Sequence, residues 1–460
     1  MSNRLLPFTE ERLLHILKSL PHTNTYLVAF SGGADSTALL YALRQLTSQL
    51  ETPINAVHVN HGIHADADSW QEHCENFCRQ QGITLTCLRI NVERRTGLGL
   101  EAEARNLRYQ AMSALLKPGD SLLTAHHADD QAETLLLNLM RGSGVDGLSA
   151  MPQSRPLVAG MLRRPLLDFE RAALINYLQE NNITWLEDPS NQSLNHDRNF
   201  IRLEIIPLLE SRWHGVSKRM LLTRNAMVEA RSLLERLADE YLEQYLRHPS
   251  VLQIATQLDN DPALFKLLIR RWLQQSGLPS IPVRSLETLY GQVFQAGDGH
   301  KIRIQWSGCL LRLHQDQLWL QQDVEIPPCP GIEWPGNQAE IDLGGDHGKL
   351  TLKGPGANGP PAEFVITNRQ NCKANTIRQG THHKRLKNLF QSAGIPGWLR
   401  DSIPLCKLKG ELVAIGDWCF DDQFAAWMSE NQVKLTWQPE NALLQFIVAQ
   451  QRPTKFFEGS

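Results

Sequence analysis

A chain of 460 residues is too long for one hydrophobic core, so two or three domains are expected. With 42% hydrophobic residues, 21% charged residues and a net charge of −3, it has the make-up of an ordinary globular protein and is no polycation. No apolar run reaches the roughly 18 to 20 residues that span a bilayer, and residues 1–11 lack a basic stretch leading into an apolar core. These features predict a cytoplasmic protein with no membrane partner.

The first half alternates strand-like and helix-like segments. Tyr26-Leu27-Val28-Ala29-Phe30 is a short apolar run ending in Ser31-Gly32-Gly33, followed by a helical stretch through residue 46. Residues 54–59 read as a second strand, 66–81 as a polar-faced helix and 85–90 as a third strand. A helix over 100–116 is stopped by Lys117-Pro118-Gly119. A strand over 121–125 precedes a helix over 129–140, and residues 158–162 are expected as a fifth strand before a helix over 168–180. Strands and helices alternating at this spacing predict an α/β fold, a doubly wound parallel sheet with ligands beyond the carboxyl ends of its strands.

From 217 to about 247 the pattern becomes one long helix, with Leu221, Leu222, Leu233, Leu234, Leu237 and Tyr241 on its apolar side. Further helices run to about 295, and 301–320 alternates like a β-hairpin. The proline-rich stretch beyond residue 323 reads as a linker, and a strand-bearing segment with a basic centre follows. The expected domains are therefore 1–215, a mostly helical 216–323, a linker at 324–338 and a small α+β domain at 339–460. The eight cysteines are scattered and contain no C-x-x-C pair; Cys74 and Cys78, four apart, read as one helix face rather than a zinc or cluster site.

The sharpest motif is Ser31-Gly32-Gly33-Ala34-Asp35-Ser36, lying between a predicted strand and a predicted helix. Glycines let the backbone turn tightly and bring N–H groups close to phosphates, and the helix adds its positive dipole end. Ser31 and Ser36 can donate hydroxyl hydrogen bonds, and Asp35 can hold Mg²⁺ against a phosphate chain. The Gly-Lys-Ser/Thr ending of a Walker loop is missing. A plain strand-to-helix turn would also suit the glycines and serines.

Ser-Gly-Gly-x-Asp-Ser at a first βα turn resembles the pyrophosphate loop of the PP-loop ATP pyrophosphatases. That resemblance implies cleavage of ATP between its α and β phosphates, transfer of AMP to a carbonyl oxygen, and displacement of AMP by a nucleophile. Three further segments narrow the likeness: His58-Val59-Asn60-His61-Gly62-Ile63-His64; Thr124-Ala125-His126-His127-Ala128-Asp129-Asp130-Gln131-Ala132-Glu133-Thr134, running into Arg141-Gly142-Ser143-Gly144; and Trp185-Leu186-Glu187-Asp188-Pro189-Ser190-Asn191 followed by His196-Asp197-Arg198-Asn199-Phe200-Ile201-Arg202. Together they closely resemble the tRNA(Ile)-lysidine synthases, strongly over residues 26 to 210 and more loosely beyond.

The resemblance implies that ATP, Mg²⁺, free L-lysine and an isoleucine tRNA with a CAU anticodon meet on this chain. The C2 oxygen of the wobble cytidine would be adenylated with release of pyrophosphate, and the ε-amine of lysine would then expel AMP to leave lysidine. Asp130 and Glu133, three apart on a helix, would contact the lysine or shape its pocket. His126 would lie near the ATP or the reacting carbonyl. Arg105 and Arg108 would meet phosphates or the adenylated intermediate, where a fixed guanidinium fork stabilises developing charge. Arg141, Arg198 and Arg202 would hold tRNA or the leaving AMP. Asp130, Glu133 and His126 all stand open as the base that frees the amine. Each residue also has a plainer reading: Glu133 as a solvated helix residue, His126 as a structural hydrogen-bonder, Arg105 and Arg108 as partners of Glu101 and Glu103, and Asp188 to Asn191 as a turn.

Residues 369–409 carry nine basic residues, Arg369, Lys373, Arg378, Lys384, Arg385, Lys387, Arg400, Lys407 and Lys409, against one acid, Asp401. In a net acidic chain that asymmetry suits phosphate contacts, and the segment resembles the acceptor-stem-binding domain of the same enzymes, with Lys384, Arg385, Lys387 and Arg400 as RNA contacts. A cytidine must be splayed from its stack to expose C2, which fits recognition of a single-stranded loop. A cluster- or persulfide-using tRNA thiolase would need paired reactive cysteines, and a glutamine amidotransferase a nucleophilic cysteine at its amino terminus. A non-catalytic RNA-binding protein would have no need of an intact Ser31–Ser36 loop. Monomer and homodimer are equally open.

Overall fold

The computed structural model describes residues 7–62, 66–90, 100–187, 193–194, 196–254, 256–294, 302–322, 325–374 and 376–451, without the side chains of 100–102, 104, 256 and 257. The chain divides into two compact units, Met1–Leu233 and Leu234–Ser460.

The first unit runs α1 (Glu10–Ser19), β1 (Tyr26–Ala29), α2 (Ala34–Gln45), α3 (Thr47–Leu50), β2 (Ile54–Asn60), α4 (Ala67–Gln81), β3 (Thr84–Arg89), α5 (Leu100–Ser113), β4 (Ser121–Leu123), α6 (Ala128–Met140), α7 (Val145–Leu148), β5 (Ser154–Leu157), β6 (Gly160–Arg163) and α8 (Arg171–Glu180). It then continues through α9 (Asp197–Phe200), a π-helical turn (Ile201–Ile205), α10 (Ile206–Arg212) and the start of α11 (Val216–Tyr245). The sheet order is β3-β2-β1-β4-β6-β5, parallel throughout except for β5. Strand periodicity explains why both faces are covered. Tyr26, Val28, Ala56 and Leu123 face a core shared with Leu13 of α1, Leu39 and Leu43 of α2, Phe77 of α4 and Leu174 of α8. Their neighbours Leu27, Val57 and Leu122 face Met112 of α5. Each fully buried leucine in these layers contributes on the order of 2 kcal/mol. Helix α4 stops at Gly82, whose left-handed backbone lets the Ile83 N–H return to the Cys78 carbonyl.

One expectation for this unit is corrected. Residues 158–162 are not a single strand: β5 and β6 form a hairpin, and Val158 sits in its turn with a φ of 48° and its side chain exposed. Apolar composition hid that turn, because a β-branched residue rarely adopts this conformation. Cys74 and Cys78 are both buried in the core beside Phe77.

The second unit holds the rest of α11, then β7 (Leu246–His248), β8 (Val251–Gln253), α12 (Pro262–Gln275), α13 (Val283–Phe294), β9 (Arg303–Trp306), β10 (Cys309–His314) and β11 (Gln317–Gln322). The expected helices are accompanied by a five-stranded sheet, β7-β8-β11-β10-β9, rather than a lone hairpin, and Trp272 and Phe265 of α12 pack in the core they share. Beyond it come β12 (Ile332–Trp334), β13 (Glu340–Asp342), β14 (Lys349–Lys353), β15 (Phe364–Thr367), β16 (Thr376–Gln379), β17 (His382–Arg385), α14 (Leu386–Ser392), β18 (Leu405–Leu408), β19 (Glu411–Ile415), β20 (Cys419–Phe420), α15 (Asp422–Glu430), β21 (Lys434–Gln438) and α16 (Ala442–Gln451). Strand β12 lies inside the proline-rich stretch and pairs with β15, burying Trp334. Among the described residues, no helix is long and apolar enough to cross a membrane.

Candidate active site

Strand β1 has β2 on one side and β4 on the other, so the chain reverses its winding between β1 and β4. A crevice opens at the carboxyl ends of strands at such a reversal. The loop after β1 and the segment after β4 border it.

Gly32 makes the loop possible. Its φ is +82°, and a Cβ there would lie 2.8 Å from Leu186 Cδ1 and 3.0 Å from Cys74 Sγ. The backbone is braced on both sides: Leu186 N–H donates to the Gly32 carbonyl at 2.8 Å, and Thr37 Oγ1 donates to the same oxygen at 3.2 Å. Ser36 Oγ donates to the Gly33 carbonyl at 3.0 Å, accepts from Ser31 N–H at 3.2 Å and lies 3.1 Å from Ser31 Oγ. Helix α2 begins at Ala34, and its first-turn N–H groups have no carbonyl within the helix to bond. Rigid turn, hydroxyls and dipole end thus converge on one spot.

Asp35 stands in that first turn. Its Oδ1 lies 3.4 Å from Arg171 Nε but receives no aligned hydrogen bond, and its Oδ2 lies 3.7 Å from His127 Nε2. A half-buried carboxylate with an unfilled acceptor beside a phosphate-type loop fits a divalent cation.

After β4 the chain presents two histidines with opposite properties. His126 accepts or donates at Nδ1 against Thr124 Oγ1, 2.9 Å away. Burial lowers its pKa to about 3, with Arg164, Arg198 and Arg105 pushing the same way against Asp130, so the ring is neutral at pH 7. His127 is fully buried, and burial by itself would lower it too. Asp129, Asp35 and Asp130 outweigh that and hold it up at about 10, a buried imidazolium. Its Nδ1 lies 3.3 Å from Asp129 Oδ2, and its Nε2 3.5 Å from Asp130 Oδ2. Asp129 also caps α8, accepting the Arg171 N–H at 2.8 Å.

Asp130 and Glu133 do share one face of α6, and two arginines saturate them. Asp130 Oδ1 accepts Arg198 Nη2 at 2.7 Å and Arg202 Nη2 at 3.0 Å, while its Oδ2 accepts the His127 N–H at 2.9 Å. Glu133, fully buried, accepts Arg198 Nε at 2.6 Å, Arg202 Nε at 2.5 Å and Arg202 Nη2 at 3.1 Å. Burial would raise the Asp130 carboxyl, but the charges of His127 and Arg198 hold it down at about 2. Arg202 belongs to the π-helical turn, closed by the Ile206 N–H on the Ile201 carbonyl; such turns are rare and recur at functional sites.

Arg105, on α5, is exposed, with its guanidinium 5.9 Å from the Tyr109 ring centroid. Arg108 is half-buried, and Arg141 is exposed where α6 ends. In the second unit Lys384 and Arg385 on β17 and Lys387 on α14 are exposed, whereas Arg400 is buried, donating from Nε to the Ile395 carbonyl at 3.0 Å over the Phe390 ring. Arg400 is therefore occupied within the fold. His64 and Asp188, Pro189, Ser190 and Asn191 lie outside the described residues.

Sequence reasoning missed His127, Asp129 and Arg171. The signal for the first two was the run His127-Ala128-Asp129-Asp130, a histidine at a helix start with two acids in the first turn. Arg171 carried none, since its neighbours come from the distant α2 and α6.

Family models match three stretches: one described as a PP-loop domain over residues 5–209, a TilS substrate binding domain over 252–319, and a TilS substrate C-terminal domain over 364–437. A tRNA(Ile)-lysidine synthase from Methylococcus capsulatus is 36% identical over 434 residues, covering 90% of this chain and 97% of its own. One from Shigella flexneri is 35% identical over 428 residues, covering 92% and 99%. Among solved structures, the U34-tRNA thiolase NcsA from Methanococcus maripaludis is 18% identical, with a TM-score of 0.40 over 48% of this chain and 78% of that one.

Proposed function

This chain belongs to the tRNA(Ile)-lysidine synthase family, and we propose that it ligates free L-lysine to C2 of the wobble cytidine of CAU-anticodon isoleucine tRNA, consuming ATP and releasing AMP and pyrophosphate. The observation that carries the assignment of roles is the meeting, at the β1/β4 reversal, of a braced phosphate-type loop with a buried cluster of carboxylates and cations.

The Ser31–Ser36 loop and the first turn of α2 cradle the phosphates of ATP. Asp35 would hold Mg²⁺ there, and the ion would neutralise phosphate charge as pyrophosphate departs. His127 and Arg171 hold the Asp35 carboxylate toward the loop from two directions. His126, kept neutral, can donate its one ring N–H to the cytosine carbonyl without adding a charge. Asp130 and Glu133 with Arg198 and Arg202 form a set of two negative and two positive groups. Such a set offers both signs to a free amino acid, whose carboxylate and ammonium groups need opposite partners. Because both acids already carry guanidinium partners, they frame the lysine pocket, and Asp130 with its depressed pKa is a weak base. Residues 1–215 would do the chemistry, 216–323 would lie along the anticodon arm, and 339–460, with the stretch expected as a linker packed into it through β12 and Trp334 rather than free, would hold the acceptor stem with Lys384, Arg385 and Lys387.

The test incubates purified protein with labelled lysine, Mg·ATP and unmodified CAU isoleucine tRNA, alongside the Asp35→Ala protein. Label entering that tRNA only with ATP and intact Asp35 supports the reading. AMP formation without incorporation would overturn the choice of nucleophile or RNA.

A further inference from the structure

Three guanidiniums gather at the carboxyl edge of the sheet without a carboxylate among them. Arg164 follows β6, which runs parallel to β4, so it lies at the same edge as Thr124 and Ser31. Arg155 is the second residue of the antiparallel β5, whose start is level with the end of β6. Arg105 lies on α5, the next helix after β3 in the chain, and meets the other two at Tyr109 of the same helix. Tyr109 is their common centre: the guanidinium carbons of Arg105 and Arg155 are 5.9 and 5.7 Å from its ring centroid, and Arg164 interacts with the phenol.

This is an odd arrangement for structural arginines. Arg164 is 4% exposed, and Nη1 donates to the Pro152 carbonyl at 2.7 Å while its buried Nε has no hydrogen-bond partner. The charges of Arg155 and Arg105 bear on it from nearby. No ion pair involves any of the three among the described residues. Like charges drawn together around a buried, unfilled donor are the signature of an anion site.

We propose that Arg105, Arg155 and Arg164 form a phosphodiester subsite that takes the RNA backbone beside the reacting cytidine. The inference rests on the function proposed above. Position decides which phosphate it serves. Strands lie about 4.8 Å apart, so β6 is about 10 Å and β5 about 14 Å from β1, whose loop holds the phosphates of ATP. With the triphosphate on that loop, the α-phosphate would meet its acceptor at the β1/β4 reversal, which puts groups beyond β4 on the acceptor's side. There the acceptor is a nucleotide with a phosphodiester on either flank, splayed out of its stack. Planar guanidinium forks match such phosphates in two-point contacts.

The experiment measures binding of unmodified CAU isoleucine tRNA to the full chain without ATP, from 50 to 200 mM salt, and separately the KM for ATP in pyrophosphate exchange with the tRNA held at saturation, since the tRNA is the acceptor of AMP. Arg155 is exposed, so Arg155→Gln tests the charge without opening a cavity. The expected result is a several-fold loss of tRNA affinity at low salt. The slope of log K against log salt should become shallower by about 0.7, the change expected when one phosphate is no longer neutralised, with the ATP KM unchanged. Arg164→Lys keeps the charge and loses the fork, so it should weaken binding while leaving the slope in place. Unchanged tRNA affinity and slope in the Arg155 variant would overturn the proposal, as would a rise in the ATP KM alone. Because binding is read without catalysis, a wild-type chain that makes no lysidine, together with a shifted slope in Arg155→Gln, would defeat the proposed function and leave this subsite standing.

Discussion

Replacing Glu133 by Gln separates the buried charge network from everything else at the site. Glutamine keeps the size of the side chain and one carbonyl acceptor, but it leaves Arg198 and Arg202 facing Asp130 alone. Removing one member of a buried ion pair costs about 3 to 5 kcal/mol, because charge is stranded away from water. Here the two arginine side chains are still 28% and 32% exposed, which argues for the lower end, about 3 kcal/mol. For a unit of this size each kcal/mol shifts the midpoint by ~2 to 4 °C, so the calorimetric transition of the first unit should fall by ~6 to 12 °C. Arg202→Met should be destabilising by itself, and in the double variant the two losses should fall short of their sum by about 1 to 3 kcal/mol. Additivity within ~0.5 kcal/mol would refute the pairing of Glu133 with Arg202 in solution, whatever happens to activity.

The same cluster sets an acid limb. Asp130 is depressed from 3.8 to about 2, so it contributes stability above pH 4 that disappears as pH falls toward 2, on the order of 2 kcal/mol. Asp130→Asn should therefore be less stable than wild type at pH 7, and the gap in denaturant midpoint should close as pH falls from 4 to 2; a constant gap would contradict it. Gly32→Ala puts a methyl 2.8 Å from Leu186 Cδ1 on a left-handed backbone, and should lose at least ~1 kcal/mol of stability and raise the KM for ATP at least tenfold. An unaltered KM would show that the loop does not hold the nucleotide. Joint replacement of Lys384 and Arg385 by Ala should weaken tRNA binding and lower its salt slope by about 1 to 2 while leaving pyrophosphate exchange at saturating tRNA unaltered, whereas Arg400→Ala should act through a lowered unfolding temperature.

What could be read from the chain alone was whatever local chemistry dictates. Strand and helix periods placed β1 to β4, α2, α4, α5, α6 and α8 to within a few residues, because a parallel sheet covered on both faces demands apolar runs separated by helices. Ser31–Ser36 stood out for the same kind of reason: glycine at a left-handed turn, hydroxyls and a helix start are all sequence-local requirements. The α6 spacing likewise put Asp130 and Glu133 on one face. Tertiary structure alone decided who meets them. Arg198 and Arg202 lie more than sixty residues away in the sequence and reach both acids through a π turn that no periodicity announced. The same holds for Arg171 over Asp35, for Leu186 behind Gly32 and for Arg155 and Arg164 around Tyr109. The charge state of each histidine follows from these meetings. His126 and His127 are adjacent and chemically identical, yet burial, helped by three guanidiniums against one carboxylate, keeps the first neutral, while three carboxylates hold the second charged, and only the fold supplies those surroundings.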